Sequence, residues 1–530
     1  MAISKLNPIE GGIPKGNTNN RSVEFPSPVI GDVYYNGEIE ALEIYNGTSW
    51  KVAKTEGFPP DAPTISSVTD SSTSLAYSST AGTLDVVFVP AATGGTATQY
   101  NAFTTTGGYS SFTTVGNTVT ITGLTPGTAY TVYGNAQNGS GTSTNTANAG
   151  PTTPTTLPQA PTIGTATLSG SDVIVTWTLG NNGGKNLSAI TITPYLNGTT
   201  AQTAQNAATT SSTTHTFSGL TQGNAHTFKV KATNANGVGS ESLASNSITV
   251  PVVVTVDYLV IAGGGGGSGS NGNVGGGAGA GGLRSTVTAT GGGGALETAL
   301  TLDISTNYAV AVGGGGAGGG AGVNGAAGTD SSFSTITATG GGYGGAQGSN
   351  GGPGGSSGAG GWTAASAGTR TASPVQGNTG GTSGPGGTAF DSSGGGGGAG
   401  GNGGNHVNDF GGPGGAPLAV SITGSSVDYA GGGAGSGVSG AGATSAPGGA
   451  GGFNATGGNG GVNTGSGGGG VYASSASYNG GSGGKGVVIL RYPDTRTITF
   501  GAGLTGTESA SSGGYKRATI TNGSGNVSWA

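Results

Sequence analysis

The segment from Val256 to Asn273, VDYLVIAGGGGGSGSNGN, runs from a short apolar stretch of the kind that builds a buried strand straight into five consecutive glycines. Glycine loses more conformational freedom on folding than any other residue, so an ordered tract must recover that cost through dense packing or hydrogen bonding. About 70 per cent of the chain's 122 glycines lie between Gly263 and Gly486, which sets a composition boundary near Asp257. Stretches such as GGPGGSSGAGGW and GGGGGAGGNGGNHVNDFGGPGGAP show no fixed triplet, so they exclude collagen, which demands glycine at every third residue. A flexible Gly/Ser linker is excluded too, because strand-like pieces keep recurring: LRSTVTAT at 283–290, ALTLDISTNYAVAV at 299–312, SSFSTITATGG at 331–341, LAVSITGS at 418–425 and GVVILRYP at 486–493.

These features predict a β scaffold over residues 257–493 whose first and last strands, DYLVIAG and GVVILRYP, lie close together. The glycine tracts are then long excursions from one end of it. Lacking Cβ, glycine runs in the polyproline-II conformation can pack side by side, hydrogen-bonding in several directions, and any side chain inside such a lattice would push the runs apart. The large residues scattered through the tracts, Trp362, Phe390, His406, Phe410, Tyr429, Phe453 and Tyr472, are therefore expected at the edges, as the candidate contact residues.

The rest of the chain carries almost no helical signal. Thr, Ser, Val and Ile alternate and are broken every eight to twelve residues or so by Gly, Asn or Pro, which indicates short strands and an all-β protein. Residues 1–30 read as an extended arm. In GDVYYNGEIEALEIYNGTSWKVA, Gly31 to Ala53, two alternating strands flank Asn36-Gly37, and a second Asn-Gly leads to Trp50; residues 1–56 thus form an arm and a hairpin head. A two-stranded hairpin is marginal alone, so the head either packs on a neighbour or stands as a mini-domain held by Tyr34, Tyr45 and Trp50.

Residues 60–153 and 159–252 repeat each other with a period of about 95 residues: LDVVFVPAATGG and GLTPGTAYTVYGNAQNGSGTS are answered by SDVIVTWTLGNNGG and GLTQGNAHTFKVKATNANGVGSES. Val173, Val175 and Trp177 fall on one strand face, and Phe228, Val230 and Ala232 alternate with Thr227, Lys229 and Lys231. A Pro at the start, a Trp on an early strand and a Leu six residues before a late-strand Tyr resemble fibronectin type III domains. The resemblance implies that Tyr130, with Leu124, is a corner residue hydrogen-bonding back to the chain. Phe88 stands where the Trp is expected in the first copy. In the second, Trp177 and Leu220 fit but His226 replaces the Tyr, which implies a weaker corner. PTTPTTLPQAP, Pro151 to Pro161, is an extended, stiff linker, and both modules read as spacers.

Composition narrows the function. Charged residues make up 7% of the chain and the net charge is -6, so no basic patch can neutralise a row of phosphates and nucleic acid is not an expected partner. Without Cys there is no disulfide framework or thiol-ligated metal. The amino terminus lacks an apolar core of signal-peptide length, and the longest apolar run, VPVVVTVDYLVIA, is too short to span a bilayer, so neither secretion nor membrane insertion is expected.

Isolated acids, chiefly Glu297, Asp303, Asp330, Asp391, Asp409 and Asp428, form no pair suited to glycoside hydrolysis. His406 and Asp409 are two candidate ligands without a third, and no phosphate loop or Ser-His-Asp set is present. The expectation is no enzyme, no cofactor and no metal.

The strand ending in AGGGGG, then GGLRS, NYAVAVGGGGAGG, SSFSTITATGGG and the closing GGKGVVILRYP, resembles the glycine-rich domain of tail-fibre and appendage proteins of tailed bacteriophages, especially those of marine cyanobacteria. In composition the tracts are also similar to distal phage adhesins built of polyglycine-II sandwiches. The head resembles short modules of phage structural proteins, and fibronectin-like domains are frequent in virions. The resemblance implies a virion surface protein made in the host cytoplasm, joined to other virion proteins through its amino-terminal region. It also implies a homo-oligomer, a trimer on fibre precedent, whose tip residues touch a host glycan or outer-membrane protein. A purely structural capsid-projecting or decoration fibre, and more distantly a bacterial surface adhesin, are the alternatives. Residues 494–530 read as two or three further strands, either a closing cap or oligomer contact or an addition to the preceding sheet.

Overall fold

The computed structural model describes residues 58–363, 365–385 and 391–530, with the short pieces 15–16, 27–29, 32–36, 41–45 and 48–52. Most of the predicted arm lies outside the described residues. The protein is all-β: the described elements are strands apart from a single 3-10 turn, Gly291–Gly293. The chain divides into two compact units, Met1–Val250 and Pro251–Ala530.

In the first unit the head is a meander of Val33–Asn36, Ala41–Tyr45 and Trp50–Val52, with Lys15–Gly16 added in parallel, so Trp50 begins a third antiparallel strand. Its ring packs edge-on to Tyr34 at 6.2 Å and tilted to Tyr45 at 5.5 Å.

Two sandwiches follow. The first packs Thr64–Asp70, Gly82–Val89 and Thr118–Leu124 against a sheet ordered Gly141–Thr142, Tyr130–Asn138, Gln99–Thr104, Ser110–Thr113. The second pairs Thr162–Ser169, Asp172–Thr178 and Thr214–Phe217 against a sheet centred on Leu187–Leu196 and Ala225–Asn234. This is a fibronectin type III-like arrangement of three strands facing a larger sheet.

Alternation decides which side chains enter. Val173, Val175 and Trp177 are buried while Ile174 and Thr176 look outward, and Phe228, Val230 and Ala232 are buried opposite them. Phe88 fills the first core by stacking on Tyr100 at 5.4 Å. The corner is present: the Thr125 N–H donates to the Tyr130 hydroxyl at 3.1 Å, and Leu124 is buried beside it. In the second module His226 keeps the same five-residue reach with reversed polarity, its Nε2 bonding the Thr221 carbonyl at 3.0 Å. Its Nδ1 is buried without a partner, and Leu220 only partly enters the core.

The linker is tied down as well as stiff. Asp70 Oδ2 accepts from the Thr155 N–H at 2.8 Å and its hydroxyl at 2.5 Å, while the Thr156 carbonyl accepts from the Asn234 amide at 2.9 Å.

The second unit is built on a ten-stranded sheet. Val253–Ile261 pairs with Val487–Pro493, Leu259 opposite Ile489, so the first and last strands of the glycine segment are neighbours. The continuous apolar run is explained by burial on both faces: Tyr258 and Val260 join one core, Leu259 and Ile261 the other. That strand begins at Val253, before the composition boundary at Asp257. Residues 494–530 add strands to this sheet instead of standing apart. Tyr515–Trp529 pairs along its first half with Val487–Pro493 and along its second with Tyr308–Ala311, carrying the sheet around one core that includes Trp529.

The glycine tracts leave this scaffold as runs that pack around one another. Counting from Gly263, every third residue faces the same neighbour: a Cβ on Gly263 or Gly266 would meet the run at 313–320, on Gly264 or Gly267 the run at 465–470, and on Gly265 the run at 340–346. That is the three-residue period of polyproline II. The N–H groups point to three other runs, Gly263 to Thr329, Gly264 to Gly484 and Gly265 to Gly279, each at 2.9–3.0 Å. Its carbonyls accept from Gly316, Gly341 and Gly468. Six neighbours surround the run, and Gly263 to Ser270 are all buried. Backbone hydrogen bonding in this lattice replaces the hydrophobic core that glycine cannot make.

Candidate functional site

Runs reverse both at the scaffold end, as at Gly398–Gly401 beside Ala399 of the scaffold core, and at the opposite end of the lattice. At about 3.1 Å per residue, the eight residues from Gly263 to Ser270 carry the chain roughly 25 Å from the end of its strand. The reversals there are joined laterally: Ser270 bridges Tyr478, Val274 bridges Tyr472, Ser392 bridges Gly437 and Phe410 bridges Gly440. The two bridged sets meet at Gly275, whose carbonyl accepts from the Ser393 hydroxyl at 2.7 Å and the Ser436 hydroxyl at 3.3 Å, so the loops at 270–274, 392, 407–410, 437–440 and 472–478 share one end.

The sequence-predicted contact residues divide. Phe410 is 51% exposed in the tight turn Val407–Phe410, where each residue's N–H donates to the other's carbonyl. Phe453 is 42% exposed and packs on half-buried Tyr472 with ring centroids 5.8 Å apart. Trp362 is half-buried in the same loop layer, its N–H donating to the Val274 carbonyl at 3.4 Å and its indole Nε1 buried without a partner. His406 is half-buried beside the Val407 turn, Nδ1 3.4 Å from the Asn408 carbonyl. Phe390 lies outside the described residues.

Tyr429 is a correction. It ends the strand Val427–Tyr429, paired with Leu418–Val420, and is buried in the core with Leu259, Leu283 and Ile489 at the scaffold end. The apolar pattern LAVSITGSSVDYA marks a hairpin, and burial also pushes the Tyr429 hydroxyl pKa up. It cannot touch a ligand at the tip.

At the tip, two exposed apolar side chains were not singled out from the sequence. Val407 is 63% exposed beside Phe410, and Val323, at the reversal of the 313–320 run, is 57% exposed. NHVND and AGVNG each place a branched apolar residue before an Asn at a glycine-run reversal, but so does GGVNT, whose Val462 is 80% exposed at the scaffold end, so the pattern marks reversals and not the tip.

Several scaffold acids hold basic or phenolic partners. Glu297 accepts from Arg284 Nε at 2.7 Å and Nη2 at 2.8 Å and from the buried Tyr258 hydroxyl, while Asp257 holds Arg491 at 2.7 Å. Tyr492 donates to Glu508 at 2.5 Å. Burial, reinforced by these carboxylates, raises the pKa of both Tyr258 and Tyr492. At the tip, Asp409 Oδ1 accepts from the Asp391 N–H at 3.3 Å. No group of three His, Cys, Asp or Glu among the described residues is placed to hold a metal ion. No helix among them is long and apolar enough to cross a membrane.

Residues 240–493, slightly less than half of the chain, match the family model described as Glycine-rich domain. No curated protein matches the chain. Among solved structures it is similar to the FN1-FN3 domains of chicken CNTN1, at 15% identity over 38% of this chain and 80% of that one, with a TM-score of 0.24. It is also similar to the twitchin kinase region from C. elegans, at 20% identity over 18% of this chain and only 17% of that one, with a TM-score of 0.16. At these scores neither likeness carries an argument, and the sandwich fold rests on the strand order and corner described above. The chain is a glycine-rich, fibronectin type III-like protein.

Proposed function

We propose that the protein is a surface protein of a tailed-bacteriophage virion, a fibre or tail appendage that projects its glycine lattice to adhere to the host cell. The observation that carries the reading is the loop layer at 270–274, 392, 407–410, 437–440 and 472–478. Exposed Phe410 and Val407 stand there on a backbone fixed by hydrogen bonds, so little loop entropy is lost on binding. Rigid aromatic anchors of this kind suit a glycan or an outer-membrane protein, with avidity from several copies, and we favour a trimer. The head joins other virion proteins, the two sandwiches extend the reach, and the protein is made in the host cytoplasm. No catalysis, cofactor, nucleic acid or membrane insertion enters this reading.

The test is adsorption. Fluorescently labelled full-length protein is offered to intact cells of a panel of marine cyanobacteria and other Gram-negative bacteria, beside the variants Phe410→Ser and Phe453→Ser. Strain-selective binding that both variants weaken supports adhesion through the tip. Binding to no strain, or binding indifferent to both variants, overturns it and leaves the decoration-fibre reading.

A further inference from the structure

The two sandwiches share a fold but present different outer faces on their larger sheets. In the first, Phe103 and Tyr133 lie directly opposite each other and stack with ring centroids 5.3 Å apart at 23°. Phe112, 64% exposed, extends the same face from the next strand, where it opposes Asn101. Beside the rings runs a ladder of amides: Gln99 Nε2 donates to Asn101 Oδ1 at 2.5 Å, Asn101 Nδ2 to Asn135 Oδ1 at 2.8 Å, and Asn135 Nδ2 to Asn145 at 3.0 Å. The ladder fixes the direction of every amide and uses one of the two N–H donors on each donating nitrogen.

The second module shows what the fold accepts at the same places. Tyr130 and His226 hold the same corner position, so Lys229 stands where Tyr133 does and Lys231 where Asn135 does, with Thr193 and Thr191 opposite. There Lys229 lies over Tyr195 at 5.0 Å and 3.7 Å from Glu241. Residues 58–153 contain no Lys, Arg, Glu or His, and their only charges are Asp61, Asp70 and Asp85, none of them on the strands of this face. A spacer has no need of an uncharged aromatic platform that its duplicate replaces with an ion pair.

We propose that this face of the first module binds a neutral oligosaccharide chain. The flat C–H face of a sugar ring packs on exposed aromatic rings, and its hydroxyls both donate and accept, as the aligned amides do. The absence of cations leaves nothing to draw a phosphorylated or uronic polymer. A strip of three rings and four amides suits several sugar units of an extended chain better than one enclosed sugar.

The test uses the full chain in native gels cast with dextran, soluble starch, a mixed-linkage β-glucan or galactomannan, followed by calorimetry with an oligomer of whichever polymer retards it. The variant is Phe103→Thr with Tyr133→Lys, the residues the second module carries at these positions, so loss of the fold is not the expected cause of any effect. Retardation by at least one polymer, with affinity falling about tenfold or more in the variant, is the expected result. Retardation by none of the four, or retardation unchanged in the variant, overturns the proposal. So does a change only in sedimentation, which would make the face a contact between copies of this chain. The variant keeps the tip, and Phe410→Ser keeps this face, so cell adhesion and polysaccharide binding fail separately.

Discussion

Replacing Gly266 by Ala tests the lattice at a single atom. The new Cβ would sit 2.0 Å from the Ala317 carbonyl oxygen and 2.5 Å from its carbon, where ordinary contact begins at 3.4 Å. The run at 313–320 must retreat by roughly 1.4 Å, which pulls the Gly316 and Gly319 N–H groups from the Gly264 and Gly267 carbonyls they reach at 2.9 Å. Two hydrogen bonds at about 1 kcal/mol each, with about 1–3 kcal/mol of overpacking, give a local loss of about 3–5 kcal/mol. Gly320, in the same run, has no atom within 4 Å of its Cβ position and no positive φ, so Gly320→Ala should be neutral or stabilising by about 0.4–1 kcal/mol through the unfolded chain. Hydrogen exchange read by mass spectrometry over 263–270 and 313–320 should lose roughly two to four orders of magnitude of protection in the first variant and none in the second. Equal protection in both would refute packing as the source of order.

Three further outcomes are expected. Tyr130→Phe leaves the Thr125 N–H without its acceptor and should cost the first sandwich about 1–2 kcal/mol in denaturant unfolding, with the second sandwich unchanged. Asp70→Ala removes the acceptor for Ser72 and Thr155 together, so limited proteolysis at 151–158 should accelerate while each module stays folded. Tyr258 and Tyr492 bind their protons more tightly folded than unfolded, so their stabilisation is complete below the ordinary phenol pKa of 10.0 and is lost as pH rises above it. Thermal scans of the 251–530 unit should fall from pH 10 upward, and a flat profile to pH 11.5 would contradict the buried phenol pairs.

Side chains made part of this architecture legible and glycine hid the rest. Val173, Val175 and Trp177 alternate with outward residues, so strand, face and core could be read from the order of residues alone. The corner at Tyr130 was an expectation of the fibronectin type III resemblance, and its partner, the Thr125 N–H, is visible only in the structure. The strand-like pieces recurring between the glycine tracts made the closeness of DYLVIAG and GVVILRYP an expectation, and their burial on both faces was found in the structure. The site was less legible. Phe410 and Phe453 are exposed, but Tyr429, an aromatic between glycine tracts like the others, is core, because its strand folds back on Leu418–Val420 at the scaffold.

The sequence by itself determined where the glycine tracts lie and that strand-like pieces bracket and interrupt them, which made a backbone-ordered lattice the expectation; that the tracts are ordered is seen only in the structure. Which run lies against which was decided only in the tertiary structure. Gly264 meets Ser466 and Gly265 meets Gly342, and nothing in those residue types records the pairing, because a residue without a side chain carries no pattern of size, charge or polarity. The same lack of a Cβ that lets six runs close around one removes from the sequence any trace of their arrangement.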